Sequence, residues 1–199
     1  ARCAAIWSIL YGHRPFVCLI GAADDRAKEL LAPIKKHFLE NPLLLEDFPE
    51  SIWPLRALEN SSKRLLQQHC NGRLTHVHWG QGKIVLPTID ACDLPECFTQ
   101  NGLEASPSSG SIITATSLEA NIRGQQHTRA DGSIIRPSLV LLDDPQTRES
   151  ARSSDQTKKR LELLNGDVLG MAGPGEQISA LITCTKMYEN DLADTILNP

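Results

Sequence analysis

Short runs of consecutive apolar residues divide the chain, and each run predicts a strand that is buried on both faces, as in a parallel sheet. The three clearest runs are residues 16–20, 139–142 and 178–182. Residues 111–116 predict a further strand, and residues 74–79 and 83–86 predict the two arms of a hairpin. These patterns predict one mainly parallel sheet.

Stretches with apolar residues at helical spacing lie between the strands and predict amphipathic helices. The clearest covers about residues 24–40, with Asp24 or Asp25 as its N-cap. Its apolar face consists of Ala27, Leu30, Leu31, Ile34 and Phe38. Further helices are predicted over residues 154–164 and about 190–197. Helices and strands in this order, joined by tight turns, predict an α/β architecture.

Other parts of the chain predict less regular structure. Residues 41–74 predict loop and a polar helix around residues 61–70, and residues 87–110 predict an irregular insertion rich in proline, glycine and serine. Residues 1–10 predict a nearly all-apolar, and therefore buried, helix without an N-cap residue ahead of it. We therefore expect the sequence of the protein to continue upstream of Ala1.

Composition fits a globular protein of one ordinary domain. The 199 residues are 41% hydrophobic and 22% charged, with a formal net charge of -4. This charge gives no overall basic footprint, so any contact with nucleic acid requires a local patch or a part of the protein outside these residues. No apolar run reaches the roughly 18 residues that a membrane span needs.

The six cysteines predict no disulfide framework and no zinc site. Cys3, Cys18 and Cys184 lie in apolar stretches and are predicted to be small core residues. Cys92 and Cys97 are too far apart for the usual zinc knuckle, and no second pair follows them. A reduced, intracellular protein is the simpler interpretation.

Two consecutive carboxylates, Asp143 and Asp144, follow the strongest buried-strand signal. The carboxyl end of a strand is where ligands bind in open α/β sheets, and this arrangement is that of a Walker B motif. In that motif the first carboxylate holds the water shell of the nucleotide's magnesium ion, and the second orients and deprotonates the attacking water. The alternative is a structural turn, in which an Asp caps the strand end and Pro145 sets the bend.

Two hydroxyls, those of Thr183 and Thr185, follow the next predicted buried strand. In motor ATPases such hydroxyls sense the nucleotide and transmit its state, although threonine is also common at strand ends by propensity alone. The phosphate-binding pattern G-x-x-x-x-G-K-[ST] is absent from these 199 residues. The glycine-rich residues 170–175 lack the following lysine and predict a flexible connection instead.

Basic residues give weaker signals. Arg123 lies between a predicted strand and the strand before Asp143, where a surface arginine in a turn is the ordinary interpretation. A cluster of basic residues follows the carboxylates and indicates either a solvated helix face or a DNA contact. Its members are Arg148, Arg152, Lys158, Lys159 and Arg160. His76 and His78 have no acidic or cysteine partner at ligand spacing, which favours a structural role.

The order of these motifs resembles the large terminase subunit of tailed bacteriophages and prophages, the motor that packages viral DNA. The similar segments are residues 12–17, 21–23 with the helix around 27–31, 122–124, 136–147 and 183–185. The likeness runs over nearly the whole chain, and the segment around Asp143 is its most specific part. The family often has Glu where Asp144 stands in this sequence.

The resemblance implies a three-layer P-loop NTPase core of the ASCE type, with a mainly parallel sheet and without its Walker A segment. Residues 1–199 would be a partial ATPase domain, with the phosphate-binding loop upstream and a nuclease domain downstream. The activity implied is hydrolysis of ATP with Mg²⁺ to move double-stranded DNA into a procapsid in the host cytoplasm. The implied partners are the DNA, the terminase small subunit, the portal protein and further copies of the chain in a homo-oligomeric ring, with no membrane.

The resemblance also implies a role for each candidate residue. Asp143 would hold Mg²⁺ through water, Asp144 would activate the attacking water, and Arg123 would reach the nucleotide of a neighbouring subunit. Thr183 and Thr185 would sense the nucleotide and couple hydrolysis to movement. Two other functions fit the same motifs: a helicase-like ATPase that remodels nucleic acid, and a non-catalytic α/β assembly module with a degenerate site.

Overall fold

A six-stranded sheet is the centre of the fold, as seen in a computed structural model that describes residues 1–89, 106–120, 122–173 and 175–198. In chain order the described strands are β1 (Phe16–Gly21), β2 (His69–Cys70), β3 (Arg73–Leu74), β4 (His78–Trp79), β5 (Lys83–Val85), β6 (Ile112–Ser117), β7 (His127–Thr128), β8 (Ile134–Ile135), β9 (Leu139–Asp143) and β10 (Ser179–Thr183). The described helices are α1 (Arg2–Leu10), α2 (Asp24–Glu40), α3 (Pro42–Asp47), α4 (Pro49–Ala57), α5 (Ser62–Leu65), α6 (Arg148–Ala151), α7 (Ser154–Leu163) and α8 (Leu192–Leu197). A π-helical turn, Leu164–Val168, continues α7.

The sheet is mostly parallel. Its strand order is β10-β9-β1-β6-β5-β4, in which the first four strands are parallel and β5 and β4 add to the β6 side as an antiparallel hairpin. Two short hairpins, β2–β3 and β7–β8, lie outside this sheet. The expectation of a mixed α/β fold with a mainly parallel sheet is confirmed.

The two central strands contain the apolar runs that predict them. Every residue of β1 is buried, and so are Leu139–Leu142 of β9. Both strands have a hydrogen-bonded neighbour on each side, and both faces of the sheet are covered, so neither strand has a side that requires polar residues. Each fully buried leucine or isoleucine here contributes about 1.5–3 kcal/mol to the free energy of unfolding.

Helices cover both faces of the sheet. On one face, side chains of α1, α2 and α4 pack with Val17, Leu19 and Leu141 of the central strands. On the other face, the π-helical turn and α8 pack with the alternate strand residues, among them Ile20 and Leu142. The result is a helix–sheet–helix arrangement that fixes the strand ends relative to one another.

Helix α2 confirms its predicted apolar face, because the five residues expected to be inside are all buried. Its predicted N-cap is wrong. Ala23 occupies that position, Asp24 is the first helical residue, and the Asp24 carboxylate instead accepts a hydrogen bond from the backbone N–H of Ser117. The start of α2 is therefore tied to the end of β6.

Two predictions of burial are corrected. Helix α1 buries only one side, since the Trp7 side chain is 55% exposed and Cys3 is exposed. Strand β10 is not buried on both faces, since Leu181 and Thr183 are exposed. Within the described part of the chain β10 pairs with β9 alone, so it is an edge strand.

The less regular segments differ in detail from their patterns. The polar helix expected around residues 61–70 is the single turn α5, and it is followed by the β2–β3 hairpin. Residues 41–74 also contain α3 and α4, two short helices that each have a proline at the first helical position. Of the irregular insertion expected over residues 87–110, residues 90–105, with Cys92 and Cys97, lie outside the described residues.

Candidate functional site

The carboxyl ends of three parallel strands meet at one edge of the sheet. In the register of β1, β9 and β10, the Cα atom of Asp143 lies opposite that of Gly21 on one side and that of Thr183 on the other. Residues that follow these strands therefore emerge side by side, where ligands bind in open α/β sheets. The structure thus brings together four of the five sequence-predicted site residues.

Asp143, the last residue of β9, is half-buried and hydrogen-bonded across the strand pair. The Thr183 hydroxyl donates to Asp143 Oδ1 at 2.7 Å, and its oxygen also lies 3.2 Å from the Leu142 carbonyl oxygen. A hydroxyl donor limits the orientations of the carboxylate that accepts its hydrogen bond. The Asp143 carboxylate is therefore directed by the next strand.

Asp144 has a left-handed backbone conformation, with φ at 43°. This conformation is uncommon for a residue other than glycine, and it turns the chain sharply out of β9. Two hydrogen bonds hold the turn: the Asp144 N–H donates to the Thr183 carbonyl, and Asp144 Oδ1 accepts from the Thr185 N–H, both at 2.8 Å. The Asp144 residue itself is exposed to solvent.

Thr185 contacts this turn through its backbone. Its N–H donates to Asp144, and its carbonyl accepts from the Gln146 side-chain amide at 2.8 Å. The coupling role expected for the Thr185 hydroxyl has no described hydrogen bond to support it. The 183–185 segment therefore contacts the carboxylates through the Thr183 hydroxyl and through the backbone N–H of Thr185.

The Gln146 side chain connects the carboxylate turn to the last helix. It is buried, its Nε2 donates to Asp191 Oδ2 at 3.1 Å, and its Oε1 accepts from the Leu192 N–H at 3.1 Å. Sequence reasoning missed this residue, although it lies inside the segment that carries the terminase resemblance. Its polar side chain gives no sign of burial, and its partners lie 45 and 46 residues away.

Asp191 is a fully buried carboxylate that caps α8. It accepts hydrogen bonds from three backbone N–H groups, those of Met187, Tyr188 and Asp194. Burial acts to raise the pKa of Asp191, but these bonds and the Gln146 amide outweigh it and hold the pKa below its ordinary value. The loop after β10 is therefore built around a charged group.

A cavity of about 580 Å³ opens beside the two carboxylates, a size within the usual range for small-molecule sites. Its lining residues are Arg2, Ala22, Ala23, Arg26, Glu29, Leu30, Asp143, Asp144, Gln146, Thr147 and Met187. It thus combines three carboxylates, those of Glu29, Asp143 and Asp144, with two guanidinium groups and the first turn of α2. Carboxylates suit a hydrated divalent cation, and guanidinium groups suit phosphate oxygens.

Part of the charge in this cavity is paired within the cavity itself. Arg26 Nη1 is paired with Glu29 Oε2 at 2.8 Å, and both side chains are mostly exposed. Among residues 1–89, 106–120, 122–173 and 175–198, no group of three or more His, Cys, Asp and Glu side chains is placed to hold a metal ion. Asp143 alone, acting through water, is what the sequence predicts for Mg²⁺, and that role stays a prediction.

Arg123 lies apart from the carboxylates. Its Nε donates to Asp167 Oδ1 in the π-helical turn of the same chain, and its side chain is 69% exposed. The Arg123 side chain is outside the lining of the 580 Å³ cavity as far as the described residues define it. The structure therefore leaves its predicted action on a neighbouring subunit as a prediction.

The basic residues between Arg148 and Arg160 suggest a solvated helix face, but Arg160 does not lie on such a face. It is buried, its Nη1 donates to the Pro145 carbonyl at 2.8 Å, and its Nη2 pairs with Glu119 Oε1 at 2.8 Å. A guanidinium with a carbonyl and a carboxylate partner joins three segments at once. Arg160 therefore fixes the turn after Asp144 from the α7 side.

Cys184 lies between the two threonines of the site. Burial, with the negative charges of Asp144 and Asp191, raises the pKa of the Cys184 thiol to about 11. A thiol with so high a pKa carries little thiolate at neutral pH and is a weak nucleophile. Cys184 is therefore a reporter of the carboxylate site rather than a reactive group within it.

Comparisons of the chain with models of protein families, with curated proteins and with solved structures found no match. In the described part of the chain, no helix combines the length and apolar character needed to cross a membrane.

Proposed function

We propose that this chain is the ATPase part of the large terminase subunit of a tailed bacteriophage or prophage. The complete protein would hydrolyse ATP with Mg²⁺ and use the energy to move double-stranded DNA into a procapsid. One observation carries the proposal. Asp143 and Asp144 are hydrogen-bonded to Thr183 and to the backbone of Thr185, so the predicted Walker B and coupling segments are in direct contact.

The proposed chemistry assigns separate tasks to the two carboxylates. Mg²⁺, when bound with the nucleotide, neutralises charge on the phosphate oxygens. Asp143, oriented by the Thr183 hydroxyl, would hold the water shell of this ion. Asp144, which is exposed beside the cavity, orients the attacking water and accepts its proton.

Coupling is proposed to run through the hydrogen bonds at the sheet edge. A change in the charge or position of Asp144 as water is activated acts on its bond from the Thr185 N–H. The Thr185 carbonyl is bonded to Gln146, which in turn contacts Asp191 and the start of α8. The nucleotide state therefore reaches α8 through a continuous set of hydrogen bonds.

The remaining parts of the proposal come from the terminase resemblance. The complete protein would assemble as a homo-oligomeric ring on the portal protein, receive DNA from the terminase small subunit, and act in the host cytoplasm at the procapsid. Arg123 would then reach the nucleotide of the neighbouring subunit. The phosphate-binding loop and a nuclease domain would come from sequence outside residues 1–199.

The first experiment determines the coding sequence on both sides of this chain. We expect a Gly-Lys-Ser/Thr segment before Ala1 and an acidic nuclease motif after Pro199. The complete protein is then assayed for ATP hydrolysis and for packaging of DNA into purified procapsids. Absence of Gly-Lys-Ser/Thr would favour a non-catalytic assembly module. A phosphate-binding loop without a nuclease, together with duplex unwinding, would favour the helicase-like ATPase.

A second experiment uses residues 1–199 alone. A phosphate-binding loop and its lysine supply most of the contacts to nucleotide phosphates, and this sequence has neither. We therefore expect weak or undetectable binding of ATP with Mg²⁺ by calorimetry and negligible hydrolysis. Micromolar binding by the 199 residues alone would contradict the proposal that the loop lies elsewhere in the protein.

A further inference from the structure

A group of basic side chains lies at the far side of the sheet from the carboxylates, between the β4–β5 and β7–β8 hairpins. Lys83 Nζ of β5 lies 2.9 Å from His127 Nδ1 of β7. His78 of β4 and Arg129, just after β7, interact electrostatically with His127 as well. We call Lys83, His78, His127 and Arg129 the basic cluster.

The Lys83–His127 contact is satisfied by one tautomer of the imidazole. A lysine ammonium group has only donors, so when Lys83 donates, His127 Nδ1 accepts and the ring is in its neutral form. The proton of the neutral ring is then on Nε2, which becomes a second donor beside the ammonium group. The pair therefore presents only donors to a ligand.

The two histidines of the basic cluster have no carboxylate acting on them among the described residues. For the two histidines, every charged neighbour that shifts the pKa is a cation: Lys83 and Lys35 act on His78, and Lys83, Arg129 and His78 act on His127. Burial, the largest cause, and this mutual repulsion lower the pKa of both rings, and burial lowers that of Lys83. Such a grouping is stabilised when an anion occupies it.

Arg129 adds an unused donor. Its Nε is buried and has no hydrogen-bond partner among the described residues. The nearby carboxylate, Asp131, accepts from the N–H and hydroxyl of Ser133 and interacts with Arg129 only through its charge. A buried guanidinium N–H without an acceptor is unfavourable, and a ligand oxygen that reached it would satisfy it.

Three members of the basic cluster line a cavity large enough for a ligand, and Lys83 lies behind them, in contact with His127. His78, His127, Arg129 and Asp131 line a cavity of about 810 Å³, whose other walls include Val85 and Thr88. On the other face of the same hairpin, Lys35 lies over the Trp79 ring and donates to the Gly80 carbonyl, which adds positive charge at the hairpin turn. The cavity therefore offers several donors and positive charge on one wall.

We propose that the basic cluster is a binding site for a phosphate group, separate from the carboxylate site at the other end of the sheet. Phosphate oxygens accept from ammonium, guanidinium and imidazole N–H groups, all of which are present here. A phosphate group arrives either as a free anion or as part of a nucleic-acid backbone. The proposal holds whether or not the terminase assignment is correct.

The test observes the histidines by NMR in the complete protein, with His78→Gln and His127→Gln variants to assign their resonances. Inorganic phosphate is compared with chloride at equal ionic strength. We expect phosphate to shift both resonances saturably and to raise the pKa of both rings, because an anion favours the protonated forms. No shift in either resonance, with phosphate or with a 20-base-pair DNA duplex, would overturn the proposal.

Variants and the duplex identify the source of the phosphate. Lys83→Gln should weaken phosphate binding at least about fivefold, while the charge-matched control Lys36→Gln, on the exposed side of α2, should leave it unchanged. The slope of log binding constant against log salt concentration is measured for the duplex. If duplex binding depends on Lys83 and the size of this slope falls by about one in Lys83→Gln, the ligand is a nucleic-acid backbone. If free phosphate alone binds, the site takes a small anion. If Lys83→Gln misfolds, the histidine resonance shifts of the wild-type protein still determine whether phosphate binds at this site.

Discussion

Asp144 Oδ1 accepts a hydrogen bond from the backbone N–H of Thr185 at 2.8 Å, which joins the end of β9 to the loop after β10. The acceptor residue, Asp144, has a left-handed backbone conformation, and that conformation directs its side chain toward the neighbouring strand. One residue earlier, the Thr183 hydroxyl binds Asp143 in the same direction. The two predicted motifs are therefore one structural unit, and changes in either should affect both.

The Thr183 hydroxyl should matter more than the size of its side chain. Thr183→Val removes the donor to Asp143 Oδ1 and keeps the shape, so the carboxylate loses its orientation. We expect turnover of ATP by the complete protein to fall roughly tenfold, the scale of one hydrogen bond to a charged group at a partly exposed site. Thr183→Ser keeps the hydroxyl and should remain within about twofold of the wild type. Equal loss in both variants would show that packing, not the hydrogen bond, is responsible.

Asp144→Asn should separate binding from chemistry. The change keeps the size of the side chain and its acceptor for the Thr185 N–H, but removes the negative charge and the basic oxygen. We expect nucleotide binding by the complete protein to persist while turnover falls on the order of a hundredfold or more, as for the loss of a general base. Normal turnover in this variant would require another base.

Asp143→Asn should act on a different step. Loss of this charge removes the carboxylate proposed to hold the water shell of Mg²⁺, so magnesium-dependent nucleotide binding should weaken. Calorimetry at varied Mg²⁺ concentration measures the effect. The exposed Asp155→Asn in α7 is the charge-matched control and should change neither binding nor turnover. Unchanged magnesium dependence in Asp143→Asn would remove Asp143 from the metal site.

Asp191 should be important for stability rather than for chemistry. Asp191→Ala removes the cap of α8 and the acceptor for the N–H groups of Met187 and Tyr188. We expect the free energy of unfolding to fall by about 1–2 kcal/mol, measured by urea denaturation. Asp191→Asn keeps one acceptor oxygen and should cost less. A stability equal to the wild type in Asp191→Ala would show that the loop re-forms its hydrogen bonds elsewhere.

The same residue predicts a pH dependence. The pKa of Asp191 is lower in the folded protein than its ordinary value of about 3.9. Its stabilising contribution is therefore complete above about pH 4 and is lost as pH falls through the lower, folded-state pKa. The difference in stability between wild type and Asp191→Asn should accordingly be constant from pH 5 to 7 and shrink below pH 4. A stability difference between the two proteins that grows as the pH falls would contradict this expected direction.

How far the sequence predicts this fold depends on where each strand lies. The runs at residues 16–20 and 139–142 are apolar throughout because central strands meet side chains on both faces, and both predictions are correct. The run at 178–182 has the same character, yet Leu181 of β10 is exposed. An apolar run indicates that a strand forms, and it does not state whether that strand lies in the centre of the sheet or at its edge.

The candidate site shows the same limit. Asp143 and Asp144 follow a strand signal, and Thr183 follows the next one, so parallel register predicts that they meet. The bond from the Thr185 N–H to Asp144 involves a backbone donor, which every non-proline residue has, so residue type gives no signal. The burial of Gln146 depends on a contact with Asp191, 45 residues later, and no local spacing encodes it.

Cys184 should report the charge of Asp144. The pKa of its thiol is raised to about 11, first by burial and then by the charges of Asp144 and Asp191, so alkylation should be slow at pH 8 and rise about tenfold per pH unit up to pH 10. Asp144→Asn removes one of the two charges and should increase the rate severalfold at pH 8. Iodoacetamide labelling followed by peptide mass spectrometry measures each cysteine separately. An identical alkylation rate in Asp144→Asn would show that the charge of Asp144 does not act on the Cys184 thiol.

Arg123 provides the last prediction, because its ion pair with Asp167 in the same chain restricts what it does in a ring. To reach the nucleotide of a neighbouring subunit, its guanidinium must leave Asp167, and its 69% exposed side chain leaves that movement sterically open. An arginine that meets charge developing only in the transition state is worth roughly 10³-fold or more in turnover. We therefore expect Arg123→Ala to lower turnover strongly in the assembled motor, with little change in nucleotide binding.

Asp167→Asn tests the intrachain pair separately. If the ion pair with Asp167 only keeps Arg123 away from the neighbouring subunit, the loss of that pair should leave turnover at or above the wild-type level in the assembled motor. If Arg123 supports the fold through Asp167, both variants should instead lower the free energy of unfolding of the chain by a similar amount. The two roles therefore predict opposite patterns in activity and in stability.

Subunit mixing decides whether Arg123 acts in trans. Arg123→Ala subunits are mixed with Asp144→Asn subunits, and ATP hydrolysis by the assembled complete protein is measured across mixing ratios. An arginine supplied from the neighbour predicts partial recovery, because some interfaces then join an intact Arg123 to an intact Asp144. Arg136→Ala, at an exposed position on the same connection before β9, is the matched control and should need no rescue. If no mixture regains activity while each parent still assembles, Arg123 acts within its own subunit or only supports the fold through Asp167.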